Sequence, residues 1–326
     1  MFLVCNKRSP ELLKGFCQSA EIVIRSVGSS RGLRAGMACA NHSFVLTGDF
    51  SDAALVLIGH GSTLNPDSAA PTYQHADAIR RRRIFGQVLE GFWKQEPGVS
   101  GVLRGAFARR VFIVPLFISE GYFTEEVIPR ELGFCGRGEK EFARIQQRGE
   151  QTLHYCGPVG THQSMTDVLL ARARETTEQF PFPRLPKASE TTLFIAGHGT
   201  GNNENSRKAI ERQVELIRAK KLYAAVHASF MEEEPKIGDC YAVAQTRNIV
   251  MVPFFISDGL HSSEDIPVML GELEAVVQQR FKSGQPTWRN PTEKQGKLVW
   301  YTPSIGSEPH LADVILERVQ EMAVRR

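Results

Sequence analysis

Three side chains in the C-terminal half have the types and spacing to handle a metal ion. His198 stands between Gly197 and Gly199, Glu232 opens the run Glu232-Glu233-Glu234, and His261 follows Asp258-Gly259-Leu260. A neutral imidazole binds divalent transition metals or accepts a proton near its ordinary pKa of about 6.5, and a carboxylate offsets the charge of an approaching cation. Few donors on an open face suit an ion that must later be released. The flanking glycines leave no side chain to keep a bulky ligand from His198. Each residue also has a plain structural reading: a turn histidine, a solvated acid, a loop histidine.

The chain itself favours the chemical reading, because it contains itself twice. Val114-Pro115-Leu116-Phe117-Ile118-Ser119-Glu120-Gly121 recurs 138 residues later as Val252-Pro253-Phe254-Phe255-Ile256-Ser257-Asp258-Gly259. The same offset relates Gly59-His60-Gly61-Ser62 to Gly197-His198-Gly199-Thr200, Pro97 to Pro235 and Pro129 to Pro267. In the first copy His60 is kept, but Lys94 faces Glu232 and Phe123 faces His261. Neither a cation nor an aromatic ring replaces a metal ligand, so both partners of His60 are lost together. His60 is then a relic, a ligand contact or a structural residue.

These residues must be positioned by alternating strands and helices. In the second half, strands are expected at Thr192–Ala196, Leu222–Met231, Ile249–Ile256 and Gly296–Tyr301. Helices are expected at Asn203–Lys220, from Ser262 (entered by a capping-box-like Ser-x-x-Asp) to Phe281, and at His310–Ala323. The first half matches with strands at Ala54–Ile58, Phe85–Trp93, Val111–Ile118 and Thr152–Tyr155, and helices at Pro71–Arg83, Thr124–Leu132 and Gln163–Gln179. The expected fold is α/β: two tandem duplicated domains, each a four-stranded parallel sheet flanked by helices, facing across a cleft. Ligands of such sheets bind beyond the strands' carboxyl ends, where His198, Glu232 and His261 all fall.

The expected division is an N-terminal extension over 1–50, a first repeat over 51–180, a linker over 181–190 marked by Pro181, Pro183 and Pro186, and a second repeat over 191–326. Gly160 and Asp167 correspond to Gly306 and Asp313 at an offset of 146. The second copy therefore gains about eight residues, expected as a surface loop within Ser283–Lys294.

Composition narrows the class. Hydrophobic residues make up 42% and charged residues 23%, with a formal net charge of +3, which suits a soluble globular protein and argues against nucleic acid as a partner. The six cysteines contain no C-x-x-C and suggest no disulfide framework or cysteine metal site, in keeping with the cytoplasm. The apolar start Met1–Val4 is broken at once by Asn6-Lys7-Arg8, and no run reaches the roughly 20 residues that span a bilayer. No G-x-S-x-G elbow supports Ser62 or Thr200 as a hydrolase nucleophile.

Taken together, Gly197-His198-Gly199-Thr200, Phe230-Met231-Glu232-Glu233-Glu234-Pro235, Pro253-Phe254-Phe255-Ile256-Ser257-Asp258-Gly259-Leu260-His261, Asp265-Ile266-Pro267 and Gly306–Asp313 resemble the class II tetrapyrrole chelatases. The likeness, over roughly residues 52–326, is to the long two-domain form of the CbiX-type sirohydrochlorin cobaltochelatases and their ferrochelatase relatives. It implies ATP-independent insertion of cobalt or iron into sirohydrochlorin or a related tetrapyrrole, in cobalamin or sirohaem synthesis, with no cofactor beyond the metal substrate. By the same resemblance, His198, His261 and Glu232 are the catalytic and metal-handling residues, and Gly197, Gly199, Ser257, Gly259 and His60 are macrocycle contacts. Arg207, Lys208, Arg80 and Arg83 are candidates for the substrate's carboxylates. A fused pair is expected to act as a monomer, and a non-catalytic metal or tetrapyrrole carrier using the same cleft is the alternative.

Overall fold

The computed structural model describes residues 44–326 apart from Leu64, Arg137, Lys140, residues 200–203 and Arg326. Most of the expected extension, Thr200 and the expected helix start at Asn203 lie outside the described residues. The end of the extension joins the body: Phe50 is buried, with its ring 5.5 Å from that of Phe112.

Each repeat folds into a five-stranded sheet. In the first, β1 (Ala53–Gly59), β2 (Gln87–Phe92), β3 (Arg110–Pro115), β4 (Ile145–Arg148) and β5 (Gln151–Tyr155) take the order β2-β1-β3-β5-β4. In the second, β6 (Thr191–Gly197), β7 (Ala225–Phe230), β8 (Asn248–Pro253), β9 (Thr292–Lys294) and β10 (Lys297–Tyr301) take the order β7-β6-β8-β10-β9. Four strands of each sheet run parallel. The expected four-stranded sheets gain a fifth, antiparallel edge strand, β4 on β5 and β9 on β10. Part of the loop expected in Ser283–Lys294 is thus β9, too short and polar to show strand periodicity. The central strands β1 and β6 are buried at every position, as a parallel strand covered on both faces must be.

Alternation divides each strand between two cores. Ala54, Val56 and Ile58 face a core private to the first sheet, and Phe194 and Ala196 one private to the second. Leu55 and Leu57, with Leu193 and Ile195, belong instead to a single core shared by both repeats. Four helices complete it: α1 (Ala70–Arg82), α2 (Met165–Gln179), α3 (Glu204–Ala219) and α4 (Leu311–Ala323). The first helix of each repeat covers its own sheet, α1 on β1 and β2, α3 on β6 and β7. The last helices are exchanged. α2 of the first repeat packs on β8 and β10 of the second, and α4 of the second packs on β3 and β5 of the first.

The polar contacts repeat about the same pseudo-two-fold relation, as in an isologous dimer interface. Arg82 pairs with Asp313 at 2.5 Å, and Lys220 with Asp167 at 3.4 Å. Arg172 donates to Ser307 Oγ at 3.0 Å, and Arg318 to Thr161 Oγ1 at 2.6 Å. His75 bonds the carbonyl of Gly306 at 2.6 Å, and its counterpart Gln213 donates at 3.0 Å to the carbonyl of His162, two residues beyond the counterpart of Gly306.

The helix expected from Ser262 to Phe281 is broken into a π-turn (His261–Asp265), a short helix (Ile266–Met269) and a further helix (Glu274–Lys282), with Gly271 at φ +92° between them. The capping box does not form. Ser262 Oγ donates to the carbonyl of Gly259, and Asp265 is taken by His261.

Candidate active site

Both sheets deliver their strand ends to one cleft of about 520 Å³, lined from the first repeat by His60 and Phe123 and from the second by His198 and His261. His198 leaves the end of β6. The chain after β7 hangs on it, with the amide of Glu232 donating to the His198 carbonyl at 3.0 Å. Gly199 turns the chain away at φ +65°, a left-handed conformation costly for other residues. His261 opens the π-turn after β8. The buried hydroxyl of Tyr301, at the end of β10, donates at 2.6 Å to the carbonyl of Ser262 and ties that turn to the sheet.

The two imidazoles meet edge to face, with ring centroids 5.0 Å apart and planes at 81°. Their tautomers follow from their partners. Nδ1 of His261 lies 2.7 Å from Asp265 Oδ2, and Nδ1 of His198 lies 3.1 Å from the carbonyl oxygen of Gly199. Both partners only accept, so each Nδ1 carries the hydrogen and each neutral ring keeps its lone pair on Nε2. A carboxylate behind an imidazole is the arrangement that orients a metal-binding histidine.

The structure brings His198, His261, His60 and Ser257 to the cleft wall. Glu232 stands differently. Its carboxylate is 3.7 Å from Nδ1 of His198, the nitrogen already engaged, and is not among the lining groups. Among the described residues no three His, Cys, Asp or Glu side chains are grouped to hold an ion. Glu232 therefore lies behind His198 in this geometry, off the cleft wall.

Packing requires both Gly197 and Gly199. A Cβ on Gly197 would stand 2.0 Å from Ile210 Cδ1, and one on Gly199 2.9 Å from Phe230 Cβ. Gly259 has open space around it and lies off the lining. The four candidate cations are also elsewhere. Arg80 pairs with Asp77 and Glu90, Arg207 with Glu211 and Glu233, and Lys208 with Glu204, while Arg83 is an exposed residue just past α1. No lysine or arginine is found among the described lining residues.

The sequence places Asp265 in a capping box and in the Asp265-Ile266-Pro267 motif but not beside His261, and it does not single out Tyr301, although signals for both roles exist. Asp265 falls four residues after His261, one helical turn on. Tyr301 matches Tyr155 at the 146 offset, and Tyr155 donates in the same way at 2.7 Å to the carbonyl of Thr124.

Comparison with known proteins agrees with this architecture. The CbiX family model matches the chain twice, over residues 54–176 and 192–322. The chain belongs to the CbiX family. Halobacterium salinarum has a relative named "probable sirohydrochlorin cobaltochelatase" that is 42% identical over 278 residues, covering 82% of this chain and 91% of the relative. A sirohydrochlorin cobaltochelatase of Methanopyrus kandleri is 27% identical over 138 residues, 40% of this chain and 94% of the relative, the length of one repeat. Among solved structures, a multi-domain Deinococcus radiodurans protein described as structurally similar to chelatases superposes with a TM-score of 0.66 at 30% identity. That match covers 83% of this chain but only 54% of the other. No helix among the described residues is long and apolar enough to cross a membrane.

Proposed function

We propose that this chain, acting in the cytoplasm, inserts a divalent metal ion, cobalt or iron, into sirohydrochlorin or a closely related tetrapyrrole without ATP. The observation that carries the reading is the pair His198 and His261, edge to face in an inter-repeat cleft with both Nδ1 atoms held by acceptors. The names of the relatives support sirohydrochlorin as the substrate and, of the two metals, cobalt.

Insertion exchanges charge for charge. The two Nε2 lone pairs take the hydrated ion as it sheds water, and two donors hold it loosely enough to pass it on. The macrocycle then receives the ion and loses two pyrrole protons. As the imidazoles are freed of the metal, each accepts one of those protons at Nε2. The site thus exchanges one dication for two imidazolium charges. Asp265, bonded to His261, and Glu232, 3.7 Å from His198, stabilise both states with the same two negative charges. Release of the two protons to solvent resets the site.

The test mixes protein, metal-free sirohydrochlorin and cobalt(II) or iron(II) and follows the absorption spectrum. Turnover is expected for the wild type, and a loss of at least about tenfold for His198→Ala or His261→Ala with unchanged folding. Wild-type rates in both variants would sink the assignment of the pair. Stoichiometric binding without turnover by the wild type would instead identify a carrier.

A further inference from the structure

We propose that the first repeat supplies the aromatic seat for the flat face of the macrocycle, with Phe123 as its centre, while the second repeat delivers the metal to the opposite face. The inference rests on the chelatase reading and adds which residues hold the substrate.

The copies show what was exchanged. Phe123 meets His60 with centroids 5.4 Å apart and planes at 80°, nearly the geometry in which His261 meets His198. The ring has kept its place and lost its donor nitrogens. Around it the first repeat is aromatic where the second is not: Trp93 stands in place of Met231, and Tyr122 in place of Leu260. Phe123 is packed by Phe117 at 6.0 Å and 24°, by Tyr122 at 5.6 Å and by Trp93 at 6.2 Å. In the second repeat His261 has Phe255 as its aromatic neighbour in the corresponding place, at 6.3 Å.

A decayed site needs no such cluster. Phe123 and Tyr122 line the cleft, and Tyr122 is 59% exposed, so the rings offer apolar surface to whatever enters. A conjugated macrocycle is the occupant that matches. It is planar, its faces are apolar and polarisable, and it must present one face to the metal donors of His198 and His261. Ring stacking, with the aromatic area it removes from water, favours that orientation, and neighbouring rings hold Phe123 ready for it. The absence of lysine and arginine from the described lining agrees with recognition of a face in this part of the cleft.

The experiment titrates metal-free sirohydrochlorin into metal-free protein, following its absorption, and measures cobalt insertion on the same samples. The variants are Phe123→Ala, Phe123→His and His261→Ala. The sister repeat holds a histidine in this place and geometry, so Phe123→His is expected to fold even if the alanine variant does not. Both Phe123 variants should bind the macrocycle about tenfold more weakly and raise its KM, with the KM for cobalt unchanged. His261→Ala should bind the macrocycle within about threefold of wild type while losing insertion. Wild-type macrocycle affinity in Phe123→His and in any folded Phe123→Ala, in a protein that does insert cobalt, would overturn the aromatic seat and leave the chelatase reading standing. A wild type that neither binds the macrocycle nor inserts metal would overturn both.

Discussion

Tyr301 donates its phenolic hydrogen to the carbonyl of Ser262 at 2.6 Å, one residue beyond His261, and Tyr155 does the same for Thr124, one residue beyond Phe123. Both tyrosines are buried, so each bond is made out of water and fixes a π-turn against the last parallel strand of its sheet. Removing either hydroxyl leaves a carbonyl without this donor, at about 1–2 kcal/mol. Tyr301→Phe and Tyr155→Phe are therefore expected to lose similar stability in urea unfolding. Their kinetics should differ: Tyr301→Phe lowers the rate of insertion and raises the KM for cobalt, whereas Tyr155→Phe leaves the KM for cobalt at its wild-type value.

Asp265 acts through His261. Its Oδ2 holds the ring's Nδ1 at 2.7 Å and so fixes which nitrogen is free. Asp265→Asn offers a neutral amide that can present a donor to the same nitrogen and favour the wrong tautomer. The KM for cobalt is expected to rise at least about tenfold, in the range seen when such supporting carboxylates are lost, with macrocycle binding unchanged. Steady-state kinetics with each substrate varied in turn separates the two constants. Equal rises in both would contradict the positioning role.

His75 makes the inter-repeat interface sensitive to acid. Burial pushes its pKa down to about 4, aided by the nearby Arg82 charge and opposed by the bond to Gly306. Its Nδ1 is buried without a partner, so a proton there has no acceptor. The folded protein then binds fewer protons than the unfolded chain between pH 6.5 and 4. Stability should fall as the pH drops through that window, by about 3 kcal/mol from this residue, and no further below it. Gln213, the counterpart, makes its bond without a titrating group. His75→Gln is expected to match wild type at pH 7 within about 1 kcal/mol and to be the more stable of the two at pH 4.5, as measured by urea unfolding. Some acid sensitivity should persist through His162, whose pKa burial also lowers.

The exchanged helices make the repeats interdependent. Without α4, one face of β3 and β5 is bare, and without α2 the same holds for β8 and β10. A protein split after Arg184 and co-expressed as two chains is expected to elute as one complex. Each chain alone should aggregate or remain unfolded, by size-exclusion chromatography and circular dichroism. Two stable monomers would contradict the exchange.

Much of the fold was legible because its signals are local. The eight parallel strands are apolar runs bounded by turns, and the self-alignment aligned His60 with His198 and Phe123 with His261 without any structure. Other features have no local signal. β4 and β9 are short and polar and form by pairing with β5 and β10 across a hairpin. Ser262 and Asp265 have the spacing of a capping box, yet tertiary partners claim them, a carbonyl in one case and an imidazole in the other. Arg207 and Arg80 have the charge to meet a substrate carboxylate, but their own neighbours neutralise them.

Sequence alone determined that this is a fused pair of sister α/β repeats and that only the later repeat has two histidines at its strand ends, because periodicity and internal register are properties of the chain. The tertiary structure decided which sheet each final helix covers, that Glu232 stands behind His198 instead of beside His261, and that Phe123 and His261 share one cleft. An apolar helix face gains as much on either sheet, and the direction of a side chain at a strand end depends on the turn that carries it. Those choices are settled only when the two halves pack.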